Sequence, residues 1–143
     1  MDRKTVLAVA SKGGHWRQLM AMSAAFDAYD VKFASTCPEL GNYTLSECSR
    51  SRWWSGFVTV AQLIYIMARL RPDVVLSTGA LPGFLALIVA RVFGARTVWV
   101  DSIANAEQMS LSGRLSKPIA ELWLTQWPRV SARTGATYAG AVL

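Results

Sequence analysis

Thr5-Val6-Leu7-Ala8-Val9-Ala10-Ser11-Lys12-Gly13-Gly14-His15 is the stretch that decides the fold of this 143-residue chain. The apolar run Thr5–Ala10 reads as a buried strand. Beyond it, His15 to Phe26 reads as a helix through Leu19, Met22 and Phe26. Two glycines between strand and helix let the backbone turn tightly and come close to a ligand. The helix start offers unpaired N–H groups and a positive dipole end. The chain's one histidine, His15, sits on that first turn. Such a strand, glycine turn and helix predict a ligand crevice at the carboxyl edge of a parallel sheet. A plain tight turn carrying a surface histidine fits the same residues.

The pattern repeats downstream. Val31-Lys32-Phe33-Ala34-Ser35 alternates and reads as a second strand. Thr36 to Arg52 is a polar loop of the length often found in functional or mobile segments. Trp53 to Leu70 reads as a second helix, nearly all apolar from Phe57 onward. It falls short of the ~20 apolar residues of a membrane span and contains Gln62. Arg50, Arg52, Trp53 and Trp54 flank one end, Arg69 and Arg71 the other. Tryptophan beside arginine is the composition of a membrane interface. A helix buried between sheet and partner fits as well, because an all-round apolar helix must be covered. Pro72 to Ser77 reads as a third strand, Thr78 to Gly83 as a second glycine turn, and Phe84 to Phe93 as a helix stopped by Gly94. A fourth strand at Thr97 to Val100 precedes a polar loop from Asp101 to Ser112. A short helix from Gly113 to Ala120, with Pro118 inside it, leads to a fifth strand at Leu122 to Thr125. Strands alternating with helices, without a hairpin signal, predict an α/β fold: a parallel sheet with helices on both faces. Three turns then share one carboxyl edge: Ser11–His15, Ser77–Gly83 and Asp101–Gly113.

The length suits a single domain over residues 1–143. The net charge of +6 suits anionic lipid heads, phosphorylated ligands or nucleic acid. The arginines are scattered and no lysine run occurs, so no nucleic-acid partner is expected. Hydrophobic residues make up 52% and tryptophans number six, so some apolar surface is expected to meet a membrane or a protein. Cys37 and Cys48 lack a zinc-like spacing and read as free thiols. No aspartate-any-aspartate motif occurs, so neither metal nor cofactor is expected. The basic start Met1 to Lys4 imitates a signal peptide, but its apolar run is shorter than the ~7–15 residues required.

Taken in order, these turns resemble one family. Ser11-Lys12-Gly13-Gly14-His15 with Gln18-Leu19 is the first motif. Pro72-Asp73-Val74-Val75 through Ser77-Thr78-Gly79-Ala80 and Pro82-Gly83 is the second. Trp99-Val100-Asp101-Ser102-Ile103-Ala104-Asn105 continues through Ser110-Leu111-Ser112-Gly113-Arg114. Gln126-Trp127-Pro128 and Tyr138 to Leu143 complete the set. Over nearly the whole chain they look like the Alg14-like glycosyltransferase subunits. The resemblance implies a Rossmann-like sheet equivalent to the amino-terminal half of a GT-B enzyme of the MurG type. It implies the acceptor-side half of a membrane-associated two-component glycosyltransferase, inactive without its partner. That enzyme would move a sugar, from a UDP-sugar, to a lipid-linked saccharide acceptor in exopolysaccharide, capsule or oligosaccharide biosynthesis. The implied partners are an Alg13-like donor-binding subunit carrying the UDP-sugar, the acceptor lipid and the membrane surface. The implied location is peripheral, on the cytoplasmic face of the membrane. Eukaryotic members carry an amino-terminal span; here strand one begins by Thr5, so membrane contact is expected from Arg52, Trp53, Trp54 and Phe57. Two other readings stand beside this one. The chain could be a non-catalytic membrane scaffold for a catalytic partner. It could also be a stand-alone nucleotide-binding domain, although no Gly-x-Gly-x-x-Gly follows strand one.

Glycosyl transfer needs a base for the acceptor hydroxyl, stabilisation of the departing diphosphate, and a closed cleft. His15 is the natural base candidate, with an unperturbed pKa of about 6.5; a ligand or backbone hydrogen bond is its other reading. Asp101 is a rival base or a cap of the following turn. Gly13, Gly14, Gly79 and Gly83 would admit close backbone contact with sugar or phosphate, with Thr78 offering a hydroxyl beside them. Lys12 could meet an acceptor diphosphate. Asn105 and Glu107 could bond acceptor hydroxyls, while Ser110 and Ser112 fit as helix caps.

Overall fold

The computed structural model describes residues 2–49 and 51–142. The membrane contact expected of Arg50 falls outside them. In chain order the elements are β1 (Thr5–Ala10), α1 (Gly14–Ala21), a 3-10 turn (Ser23–Phe26), β2 (Asp30–Ser35), β3 (Tyr43–Thr44), α2 (Ser55–Leu70) and β4 (Val74–Ser77). They continue as α3 (Ala80–Val92), β5 (Arg96–Val100), α4 (Leu111–Ser116), β6 (Leu122–Thr125), α5 (Pro128–Thr134) and β7 (Thr137–Tyr138). The strands form one sheet in the order β3-β2-β1-β4-β5-β6-β7, and all pairings are parallel. The expected parallel α/β sheet is present, with a Rossmann-like strand order.

Residues from β1 and β4 alternate between two cores. Leu7, Val9 and Val75 pack with Leu63, Ile66 and Met67 of α2 and Ala86, Leu87 and Ala90 of α3. Ala8, Ala10 and Leu76 pack on the other face against Leu19 of α1 and Phe26. The division follows from right-handed crossovers. The chain winds outward from β1 to β3, then reverses and winds the other way from β4 to β7. Helices made before and after that reversal therefore lie on opposite faces. At the reversal the loops after β1 and β4 diverge, and the gap between them is where such sheets bind ligands.

Most ends fall within one or two residues of the sequence reading, and three helices differ by more. The first helix breaks after Ala21, and Ser23–Phe26 is a 3-10 turn. The third helix starts at Ala80 instead of Phe84, because Pro82 is tolerated in a first helical turn. The fourth starts at Leu111, where the Ser110 side chain accepts from Gly113 N–H, and stops at Ser116 before Pro118. β3, α5 and β7 are additional to the elements read from the sequence.

Candidate functional site

The crevice opens where the loops after β1, β4 and β5 meet. Its first chamber, about 520 Å³, lies between Ser11, Thr36, Ser49, Arg52 and Ala80. A second chamber of about 400 Å³ shares Ser49 and Ala80 and is walled by His15, Ser102, Asn105 and Leu115. Ser49 lies outside the turns marked in the sequence, whereas Ala80 lies within the expected Ser77–Gly83 turn without having been named as a contact. The loop carrying Ser49 is brought over the carboxyl edge by β3 and Ser46, and no local motif marks it.

His15 is held in place by the neighbouring turn. Its Nδ1 lies 3.0 Å from the Thr78 carbonyl oxygen. A carbonyl only accepts, so Nδ1 donates and the neutral ring keeps Nε2 as its acceptor. Thr78 Oγ1 donates back to the His15 carbonyl at 2.9 Å. Gly79 sits beneath the ring with φ +137°, and an added Cβ would lie 2.5 Å from His15 Cε1. Ala80 has φ 65°, a conformation that costs a non-glycine residue energy and recurs at functional sites. The helix axes of α1 and α3 both start here, at Gly13 and Gly79, and neither start has a side-chain cap. Their first-turn N–H groups are therefore unclaimed by caps and give the crevice a positive character.

Asp101 is 1% exposed and its carboxylate is saturated. Oδ1 accepts from Trp99 Nε1 at 3.1 Å and from Ser110 Oγ at 2.6 Å. Oδ2 accepts from Asn105 Nδ2 and from Ser110 N–H, each at 3.0 Å. Its carbonyl accepts from the buried amides of Gln18 and Gln126. Gly113 stands against it: an added Cβ would lie 2.6 Å from Oδ1. This residue ties the β5–α4 loop to α1 and β6, which is the cap-like alternative of the sequence reading, and it has no free oxygen for a proton.

Several expected ligand contacts lie elsewhere. Thr78 is fully buried and its hydroxyl is spent on His15. Gly83 is buried within α3, where an added Cβ would strike Ser77 Oγ; it brings helix and sheet together. Glu107 is exposed, turns away to Arg129 at 3.9 Å and lines neither chamber. Lys12 pairs with Glu47 at 3.0 Å; the hydrogen bond and charge of Glu47 hold its pKa above the ordinary lysine value. Asn105 lines the second chamber while anchored to Asp101. At Gly13, φ is +86°, and at both Gly13 and Gly14 an added Cβ would meet open space. Cys37 and Cys48 are free, and burial pushes the Cys48 thiol up despite a hydrogen bond to Thr59. Among the described residues no cluster of His, Cys, Asp and Glu could hold a metal ion.

α2 is sided rather than apolar all round in a buried setting. Thr59, Leu63, Ile66 and Met67 face the core. Its exposed positions are Phe57, Val58, Ala61, Ile64, Tyr65 and Ala68, and Arg69 is the first charge. Before it, Trp53 and Trp54 are 73% and 56% exposed, and Phe57 is 68% exposed. A surface helix ordinarily turns its polar side to water, so this one reverses the rule. Val92 and Phe93 at the end of α3 extend the apolar surface. No described helix is long and apolar enough to cross a membrane.

Comparison with known proteins gives a consistent result. The family described as "Oligosaccharide biosynthesis protein Alg14 like" matches residues 44–142. The chain is 26% identical over 110 residues to the mouse "UDP-N-acetylglucosamine transferase subunit ALG14", covering 66% of this chain and 51% of that protein. It is 33% identical over 79 residues to the fission-yeast (Schizosaccharomyces pombe) protein of that name, covering 50% and 37%. The chain thus spans about half or less of the curated relatives it matches. Among solved structures, MurG of Acinetobacter baumannii superposes with a TM-score of 0.72 at 13% identity, over 98% of this chain and 44% of that one. A Methanocaldococcus jannaschii UDP-GlcNAc 2-epimerase, in complex with UDP-GlcNAc and UDP, gives 0.72 at 13% identity, over 93% and 44%. The fold is that of one half of these longer enzymes.

Proposed function

The chain belongs to the Alg14-like family of oligosaccharide biosynthesis proteins, and from that premise we propose that it is the acceptor-side subunit of a two-component glycosyltransferase. In this reading a donor-binding protein of the Alg13 type carries a UDP-sugar, UDP-GlcNAc by analogy with the named relatives. The chain presents a lipid-linked saccharide to it from the membrane surface. The acceptor hydroxyl lies in the second chamber. Nε2 of His15 takes its proton as the new glycosidic bond forms and the nucleoside diphosphate leaves from the donor side. Gly13 and Gly14 leave room for a sugar or phosphate against the backbone. The uncapped helix starts of α1 and α3 attract the acceptor's phosphate groups. Asp101 positions Asn105 and Ser110 and transfers no proton. The outer face of α2, with Arg52, Trp53, Trp54 and Phe57, lies on the lipid surface. That placement, on the cytoplasmic face, is also where a nucleotide-sugar is available.

One observation carries the reading: the sole histidine is locked by Thr78 and Gly79 with its Nε2 left as acceptor, in a crevice at the sheet's switch point. A mere scaffold has no use for such a device, although the apolar face of α2 would serve it equally well. The test is a transfer assay with the chain, its donor-side partner, labelled UDP-GlcNAc and a membrane lipid extract. Label should enter the lipid fraction only with both proteins present. His15→Ala should lower transfer by about 10²–10⁴-fold with pairing intact. Undiminished transfer by that variant would reduce the chain to a scaffold, and turnover without the partner would remove the two-component reading.

A further inference from the structure

We propose that the apolar groove between β3 and the outer side of α2 seats the hydrocarbon chain of the same lipid acceptor whose head occupies the crevice; the inference rests on the acceptor-side reading above. The groove holds about 430 Å³, with Tyr43 and Thr44 on one side and Val58, Ala61, Tyr65 and Ile66 on the other. Ligand sites of small molecules run to about 300–1,000 Å³. Among the described residues no charged one lines this groove. Its one amide, Gln62, has its oxygen committed to the Ser46 N–H at 2.8 Å. The groove therefore offers contact area to a hydrocarbon and little to a sugar or phosphate. β3 is a sheet edge, but its two residues are too few to template an added peptide strand.

Three features select the acceptor's own chain as occupant. The groove is continuous with the exposed apolar side of α2, because Val58, Ala61 and Tyr65 belong to both. That helix starts at the crevice, where Arg52 lines the first chamber. At about 1.5 Å of rise per residue, Ala61 lies about 9 Å along the axis from Ser55, a distance that the long hydrocarbon chain of a lipid attached to a head group in the chamber can span. Finally, residues 48–72 contain arginines at 50, 52, 69 and 71 and no acidic residue. Glu47 also lines the first chamber beside Arg52 but is paired with Lys12, so the segment's balance is cationic as well as apolar and matches an anionic lipid diphosphate.

The test uses the whole chain, with farnesyl diphosphate as the probe, read by isothermal titration calorimetry. Inorganic pyrophosphate and phosphatidylglycerol vesicles form separate arms. Ala61→Trp fills the groove from the helix without touching the crevice; Val58→Trp is the second variant, and circular dichroism reports whether each folds. Farnesyl diphosphate should bind the wild type more tightly than pyrophosphate does. It should bind the folded variants at least about tenfold more weakly, since several buried methylenes are lost. Pyrophosphate binding should stay unchanged, and vesicle binding should not fall, since a tryptophan on the outer side of α2 adds apolar surface there. Equal probe affinity in wild type and variants overturns the proposal, as does a wild type that binds the probe no better than pyrophosphate. A variant that loses pairing with the donor-side protein while keeping probe affinity makes the groove a protein interface and equally overturns it. No arm requires turnover, so failure of the groove and failure of the acceptor-side reading, which shows in the transfer assay, remain separate results.

Discussion

Gly14 and Gly79 flank His15 and are glycines for different reasons. At Gly79 the backbone demands it: φ is +137° and a methyl group would collide with the imidazole. At Gly14 neither the backbone nor the packing demands it, since a Cβ there meets open space. Alanine is the better helix former by up to about 1 kcal/mol. Gly14→Ala should therefore leave the thermal unfolding midpoint unchanged or raised while, on the proposed acceptor-side reading, lowering transfer, because the methyl would take space that the acceptor uses in that reading. Unchanged transfer in this variant would remove Gly14 from the site. Asp101 allows a second test. Both of its oxygens accept two hydrogen bonds, so an amide in either orientation sets N–H against N–H. Asp101→Asn should cost about 1–3 kcal/mol or more in denaturant unfolding, and a neutral effect would show that the carboxylate is not the hub described. Residue types and spacing pointed to His15, the glycines and Asp101. They could not tell an open carboxylate from a saturated one, because that depends on how the loop folds back to bring Asn105 and Ser110 onto it.

At the scale of elements, α2 carries the sharpest expectation. Trp54 and Phe57 are mostly exposed, so Trp54→Glu with Phe57→Glu should change folding stability little and leave the circular dichroism spectrum intact. Vesicle binding should fall at least about tenfold, since each large apolar side chain buried contributes about 1.5–3 kcal/mol. Wild-type binding should weaken with salt without vanishing, as the arginine contribution is screened and the apolar one is not. Unaltered vesicle binding with lost pairing would make the helix a protein interface. The sequence showed β1 and β6 with their observed boundaries and α2 with an excess of two residues. It missed β3 and β7 because two residues each leave no alternation to detect. It missed α5 because that helix buries only Val130. The glycines and proline of residues 78–83 read as a turn, and only the backbone shows that the helix has begun by Ala80. The two-sided character of α2 was hidden for another reason: its exposed face is as apolar as its buried one, so hydropathy gives no phase.

The whole molecule is a parallel sheet that reverses its winding between β1 and β4, and everything assigned to function gathers at that reversal or on the helix beginning beside it. The order of motifs along the chain made this architecture legible. Contacts across the crevice were not, since Ser49, Arg52 and Ala80 converge only through the fold. The solved structures with this fold are chains more than twice as long, of which this one covers 44%, and one is in complex with UDP-GlcNAc and UDP. The central claim is that this chain holds the acceptor and that the donor belongs to its partner. Isothermal titration of UDP-GlcNAc into the isolated chain, and then into the chain paired with its donor-side protein, tests that division most directly. The isolated chain should show no saturable binding, and the pair should bind. Saturable binding of UDP-GlcNAc to the chain alone, with the affinity of the pair, would contradict it and identify a nucleotide-binding domain.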